Sequence, residues 1–293
     1  MDVKNAVRAL VVLVLCIGIA AGIAFASSQN TITFLSMPVL YSLVALAFAT
    51  QWIVFIPSYL MKTEKCFDLT GSGTFIACTI LVATAAQPLS LYQVICASMV
   101  LIWAARLGSF LFLRIHKDGV DTRFDQIKHN PYRFFVTWTI QGLWVIVTAG
   151  ALYTAIASNA TISLGGNMTS ALVFLGVALW VLGFTLEVVA DYQKRVFKQN
   201  PENKGKFINV GLWSRARHPN YFGEILLWFG AALTASVALS GWQYLTLISP
   251  FFVLFLLTKV SGIPMLEAKA DKRWGDNADY IAYKASTKRL WVF

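Results

Sequence analysis

Leu212-Trp213-Ser214-Arg215-Ala216-Arg217-His218-Pro219-Asn220-Tyr221-Phe222-Gly223-Glu224 is a polar, basic run set between long apolar stretches, in a chain that is 57% hydrophobic. It is followed at once by Ile225-Leu226-Leu227-Trp228-Phe229, so charge gives way to grease within one continuous segment. Pro219 suits the first turn of a helix, because its φ is already helical and its missing N–H would be unpaired there anyway. Asn220 and Glu224, four apart, then share one helix face just below Arg217 and His218. A carboxylate such as Glu224 is costly to bury in lipid unless it faces a protein cavity with a partner. The segment therefore reads as a site at a membrane face. The plainer alternative is a charged helix end reaching out to the interface.

The surrounding composition sets the fold class. Of 293 residues only 13% are charged, leaving far more apolar sequence than one soluble core can hide. The expectation is an all-α, polytopic transmembrane helix bundle of seven or eight spans, to which the resemblance given below adds a cofactor cavity facing the cytoplasm. The net charge of +10 comes from basic residues interleaved with apolar spans. That pattern points to a cytoplasmic membrane surface or an anionic small ligand and away from nucleic acid. The four cysteines, Cys16, Cys66, Cys78 and Cys96, lack metal-type spacing, so neither a metal site nor a disulfide framework is expected.

Apolar runs long enough to cross a bilayer fall at about 6–27, 35–60, 70–87, 90–113, 134–157, 169–190, 221–239 and 243–261. The first has a second reading. Lys4 and Arg8, an apolar stretch and Ala24-Phe25-Ala26 before Ser27 resemble a signal peptide, but the apolar core is long for that role and a retained anchor is expected. With the amino terminus cytoplasmic, the loops at 28–34, 88–89, 158–168 and 240–242 contain no Lys, Arg, His, Asp or Glu. The positive-inside rule covers only Lys and Arg. Here Asp118, Asp121, Asp191, Glu202, Glu267 and Asp279 are segregated as well, which calls for a polar site on the charged face. The triplets Asn159-Ala160-Thr161 and Asn167-Met168-Thr169 in the opposite loop fit a lumen, without settling the organism. The localisation expected is the endoplasmic reticulum if eukaryotic and the inner membrane if bacterial.

The charged segments differ in character. Glu64 and Asp68 sit among Lys62, Lys65 and the start of the third span, where Asp68 is either a helix cap or an acid for catalysis. Arg106 lies inside the fourth span, eight residues before Arg114, and must face protein or water. Glu187, Asp191, Arg195 and Lys198 form one helical stripe running out of the sixth span. Its plain reading is an exposed ladder of ion pairs, but Phe184, Leu186, Val188 and Val189 around Glu187 place that acid deep. Asn200-Pro201-Glu202-Asn203-Lys204-Gly205-Lys206 is a turn-forming basic loop suited to phosphate. Glu267, Tyr280 and Tyr283 lie in the tail, the two tyrosines three apart on one aromatic face.

These motifs together resemble an uncharacterised membrane family grouped with the steroid 5-alpha-reductases. The residues that carry the likeness are the Arg-His-Pro-Asn-Tyr-Phe-Gly-Glu run, Ala190-Asp191-Tyr192-Gln193, Ser261-Gly262-Ile263-Pro264-Met265-Leu266-Glu267, Lys65-Cys66-Phe67-Asp68-Leu69-Thr70-Gly71-Ser72, Arg106-Leu107-Gly108 and the Arg-Trp-Gly plus Tyr-x-x-Tyr tail. The likeness covers residues 35–293, so residues 1–34 are expected to add a span and a non-cytoplasmic loop. The resemblance implies NADPH-dependent reduction of a carbon–carbon double bond, enone or enoyl, in a hydrophobic sterol, isoprenoid or lipid substrate. It implies cofactor contacts at Asp191, Asn220 and Glu224.

The residues themselves suit such a cofactor. Arg114, Arg123, Arg195, Lys198, Lys204 and Lys206 offer counter-charges to phosphate. Arg106, Glu187, Arg217, His218, Tyr221, Glu267 and Tyr283 complete the expected cofactor-binding set, with Asp68 and Glu64 the candidate catalytic acids. One departure stands out: where the steroid enzymes look to grip a ketone with Glu and Tyr, this chain has Trp52 after Gln51, and Trp103. An indole N–H donates a hydrogen bond but is no acid. The rival readings are an S-adenosylmethionine-dependent methyltransferase of the isoprenylcysteine carboxyl type, which would leave the basic segment without an obvious purpose, and a non-enzymatic lipid-binding protein.

Overall fold

The computed structural model describes residues 3–118, 121, 124–166 and 168–293, without the side chains of residues 114 and 116–118. Arg123, Asn167 and the side chains of Arg114 and Asp118 thus lie outside the described residues. The chain forms α1 (Val3–Ser27), α2 (Val39–Leu60), α3 (Phe67–Ala85), α4 (Leu91–Asp118), α5 (Pro131–Ala157), α6 (Met168–Gln199), α7 (Pro219–Ser236), α8 (Ser249–Phe255), α9 (Ile263–Trp274) and α10 (Ala278–Ser286). A two-residue antiparallel hairpin, β1 (Thr33–Phe34) with β2 (Met37–Pro38), leads into α2.

Seven described helical runs are long and apolar enough to cross a membrane, namely α1 to α6 and the run from Gly241 to Trp274. The protein is an all-helical, multi-pass membrane protein. The segment expected as an eighth span, α7, has 18 residues, or about 27 Å at the helical rise, just short of the hydrocarbon thickness. The run expected at 243–261 is not one regular helix. It opens as 3-10 turns over Gly241–Ile248, restarts as α8, where Pro250 fits a first turn, and ends in a π turn over Leu256–Val260.

Two compact units partition the chain. The first comprises the chain up to Val173 together with Thr234–Ser249. Its central helix is α5, 89% buried over its apolar window. Phe75, Trp103 and Trp144 interlock edge-on, the geometry aromatic quadrupoles prefer. Phe67, Phe124, Phe134 and Trp138 form a second aromatic group nearer the start of α5.

The four loops that carry no ionisable residue meet at one end of this unit. Asn159 donates its backbone N–H to the Asn30 carbonyl, Ser158 bonds the Ala238 carbonyl, Gln243 reaches the carbonyl of Gln29, and Gln93 reaches that of Ile156. The alternation inferred from charge is thereby realised in the packing of the first unit.

The second unit comprises Phe174–Leu233 and Pro250–Phe293. Within it α6 and α7 touch backbone to backbone. A Cβ on Gly223 would stand 2.6 Å from the Glu187 nitrogen, one on Gly183 would stand 2.5 Å from that of Leu227, and one on Gly230 would meet the Gly176 carbonyl oxygen at 2.5 Å. These approaches are too close for any side chain, so glycine at each position sets the crossing.

Candidate functional site

Pro219 opens α7 as its residue type requires. Directly before it, a 3-10 turn over Gly211–Ser214 carries Trp213 into the second unit, where its indole N–H donates to the Ala190 carbonyl at 3.0 Å. Gly211 has φ +62°, and a Cβ there would lie 2.6 Å from Gln193 Oε1. That oxygen accepts the Leu212 N–H at 2.9 Å. The turn is thus moulded onto α6.

Arg217 then makes a clasp. Its Nε and Nη2 reach Glu267 Oε1 at 3.0 and 2.9 Å, while Nη1 donates to the carbonyls of Lys284 and Thr287, each at 2.8 Å. The backbone N–H groups of Arg217 and His218 donate to the carbonyls of Lys288 and Arg289. The tail beyond α10 is therefore laid alongside the motif, with Trp291 and Phe293 packed on Phe222. Tyr283 donates its hydroxyl to the Trp213 carbonyl at 2.5 Å, and burial pushes that phenol up to about 12. Tyr280 and Tyr283 both pack on Phe207, at 5.3 and 5.4 Å, as their spacing anticipates.

His218 is buried, stacked on Tyr221 and 3.3 Å from Glu267 Oε1 through Nε2. Burial pushes the imidazole down to about 4. Glu267 opposes that shift, and the positive charges of Lys194 and Arg217 add to it. The histidine is therefore neutral at pH 7 and serves as a hydrogen-bonding group.

In the first turn of α7, Asn220 donates its side-chain amide to Asp191 Oδ1 at 3.1 Å. Asp191 and Glu187 are buried on α6, and Glu224 is half-buried on α7. The stripe expected on the sixth span exists, and its two halves part company. Glu187 and Asp191 turn into the unit, whereas Arg195, lying over Tyr192, and Lys198 are exposed near the end of α6. Lys204 and Lys206 are exposed in the loop that follows. Asp191 and Asn220 are brought together, and the four cations stand at the surface.

Lys194 escaped the sequence reading. It is half-buried, holds its ammonium 4.5 Å from the centre of the Trp213 ring and acts electrostatically on His218. Its place three residues after Asp191 on the same helix was the available signal.

In the first unit, Glu64 is buried and committed. Oε2 pairs with Lys128 Nζ at 2.9 Å and Oε1 accepts the Asp121 N–H at 3.1 Å. Burial alone would raise this carboxyl, but these partners hold it below the usual carboxylate range. Asp68 lies in the first turn of α3, where the capping position falls to Cys66, so the capping role considered for Asp68 is not the one observed. Glu64, Asp68 and Asp121 border a crevice of about 10 Å³, room for one water and no more. Arg106 is half-buried on α4, its guanidinium 5.1 Å from the Phe110 ring. Trp52 donates to Thr139 at 3.2 Å, and Trp103 is fully buried. No cluster of three His, Cys, Asp or Glu suited to a metal occurs among the described residues.

Fold and site together define a polytopic membrane protein with a polar, clasped helix start. Residues 54–287 match the family described as protein of unknown function DUF1295, and the chain belongs to that family. It is 32% identical over 146 residues to the probable O-methyltransferase ustE of Ustilaginoidea virens, covering 46% of this chain and 49% of that one. It is 35% identical over 80 residues to 3-oxo-5-alpha-steroid 4-dehydrogenase 1 of Bos taurus, covering 27% and 30%. To Delta(14)-sterol reductase of Arabidopsis thaliana it is 22% identical over 219 residues, covering 70% and 49%. The chain spans about half or less of the length of each of these relatives. The likeness to steroid 5-alpha-reductases read from the motifs stands. No solved structure matches the chain.

Proposed function

We propose that this protein is an oxidoreductase that uses NADPH to reduce a carbon–carbon double bond, enone or enoyl, in a hydrophobic sterol, isoprenoid or lipid substrate. The observation that carries this reading is the polar group at the head of α7, where Asn220 is bonded to Asp191 and Glu187 and Glu224 lie on the same two helices. An amide and carboxylates so placed suit a carboxamide, which needs both a donor and an acceptor. Arg195, Lys198, Lys204 and Lys206, being exposed, suit phosphate, whereas Arg217 is spent on Glu267 and two carbonyls. When bound, NADPH supplies the hydride. The chain's own task is to orient the ring through Asn220 and Glu224, keep His218 neutral and exclude water. Of the two candidate acids, Glu64 is buried in its pair with Lys128, and Asp68, in the first turn of α3, is the one assigned to proton transfer. The charged face is assigned to the cytoplasm.

A second reading has its own support. The relative with the longer stretch at over 30% identity is a probable O-methyltransferase, and S-adenosylmethionine carries no phosphate for the surface cations to bind. Thermal-shift titration of the detergent-purified protein with NADPH, NADH and S-adenosylmethionine separates the two. Stabilisation by NADPH is expected. Stabilisation by S-adenosylmethionine with no response to NADPH overturns the reductase.

A further inference from the structure

Among the described residues of the first unit, the buried polar atoms without a hydrogen-bond partner include Gln51 Oε1, Gln141 Oε1 and Trp138 Nε1. Gln51 and Trp138 are fully buried, and Gln141 nearly so. All three border α3. Gln51 donates from Nε2 to Thr74 Oγ1 at 2.9 Å and packs its Cγ against Gly142. The amide of Gln141 fills the space beside Gly71, with Nε2 2.6 Å from where a Cβ would stand. Trp138, one turn earlier on α5, meets Phe67. Phe67, Gly71 and Thr74 follow one another along α3, so their three partners line it as a polar seam about two turns long, contributed by α2 and α5.

Each orphan leaves a desolvated polar atom uncompensated, and native interiors seldom leave several of them in one region. The polarity of the seam follows from its hydrogen bonds. Thr74 spends its only hydroxyl proton on the Thr70 carbonyl at 2.7 Å, so it can only accept from Gln51. The amide of Gln51 is thereby fixed, and the atom left over is its carbonyl oxygen, an acceptor. Gln141 has no such lock and can turn its amide either way.

We propose that this seam receives the polar end of the substrate and takes an alcohol in preference to a ketone. A hydroxyl donates to Gln51 Oε1 and accepts from the indole N–H of Trp138. A ketone oxygen has no proton to give and would face the Gln51 oxygen lone pair to lone pair. None of the three side chains is a carboxylate, so an ammonium group would go uncompensated. The hydroxyl anchors the guest and is distinct from the double bond that is reduced. The inference rests on the reductase reading for its claim that the guest is the substrate, and it refines the class of that substrate.

The test uses the full chain in nanodiscs and matched alcohol and carbonyl probes: a 3-hydroxy sterol with its 3-oxo counterpart, and geranylgeraniol with geranylgeranial. Binding is read by tryptophan quenching. In at least one pair the alcohol is expected to bind about tenfold tighter or more, as sites built on hydrogen bonds discriminate. Gln51→Met should bring that ratio to within about twofold, Trp138→Phe should reduce it, and neither should change NADPH affinity. Equal or tighter binding of the carbonyl partner overturns the proposal, as does failure of both pairs to bind. So does a preference that survives in a folded Gln51→Met protein, particularly one that has become more heat-stable, for the seam is then only packing. If the wild type ignores NADPH yet prefers the alcohol through Gln51, the reductase reading fails and the seam stands.

Discussion

Asn220, in the first turn of α7, gives its side-chain amide to Asp191 on α6 across 3.1 Å. The bond joins the motif to the stripe on the preceding helix and orients the free end of the Asn220 amide. Removing it by Asn220→Ala should weaken NADPH about five- to a hundredfold, on the order of 1 to 3 kcal/mol for a buried hydrogen bond. Glu224→Gln should act in the same direction. Calorimetric titration that finds both variants unaltered removes these residues from the cofactor site.

Arg217 is bonded to one carboxylate and two carbonyls, and its side chain is only 16% exposed. Arg217→Gln strands both carbonyls and leaves Glu267 with His218 alone, at a cost on the order of 3 to 5 kcal/mol for breaking a mostly buried pair. Proteolysis should then cut near residues 284–289 well before the wild type is cut there. An intact tail in the variant would show that the clasp is not what holds it.

The pH response follows from His218. Its folded pKa, about 4, lies below the 6.5 expected when unfolded, so the unfolded chain binds the extra proton first. Stability contributed by the neutral ring should be complete above pH 6.5 and decline as pH falls from there toward 4. His218→Gln should flatten that slope in thermal unfolding across the window, and a slope unchanged by the substitution assigns it to other groups.

The α6 and α7 crossing admits no side chain at Gly223. Gly223→Val should destabilise by about 1 to 3 kcal/mol or more through overpacking. Gly73→Ala, which meets nothing within 4 Å, is the matched control and should be close to neutral. Equal melting temperatures for the two variants would contradict the close approach.

Arg195, Lys198, Lys204 and Lys206 are exposed, so their contribution should be screened by salt. Replacing all four with Gln should weaken NADPH and shrink its salt dependence, leaving binding of nicotinamide mononucleotide, with a single phosphate, less affected. A quadruple variant with wild-type salt dependence would relocate the phosphates.

The long apolar runs made most helices legible, because bilayer length and hydropathy leave few alternatives. The uncharged loops anticipated which helix ends meet in the first unit. Pro219 announced α7 for a local reason, its own backbone chemistry. The break in the run after Gly241 was illegible, since its residues remain apolar through 3-10, α and π geometry alike. At the site, Glu187 and Asp191 were found by spacing. The same spacing carries the stripe on to Arg195 and Lys198, where the helix has run past the packed region and both are exposed. Lys194 was passed over because a stripe drawn at steps of four skips the residue three along. The clasp on Arg217 depends on backbone carbonyls from a distant segment, which no side-chain pattern encodes.

The carbonyls that hold Arg217 are contributed by residues 67 and 70 positions later in the chain. While the polypeptide is being made, the motif therefore reaches the bilayer surface long before anything exists to fasten it. A nascent chain halted between α7 and α10 would carry the motif without its clasp. The clasp would close as a single late event, when residues 284–289 dock.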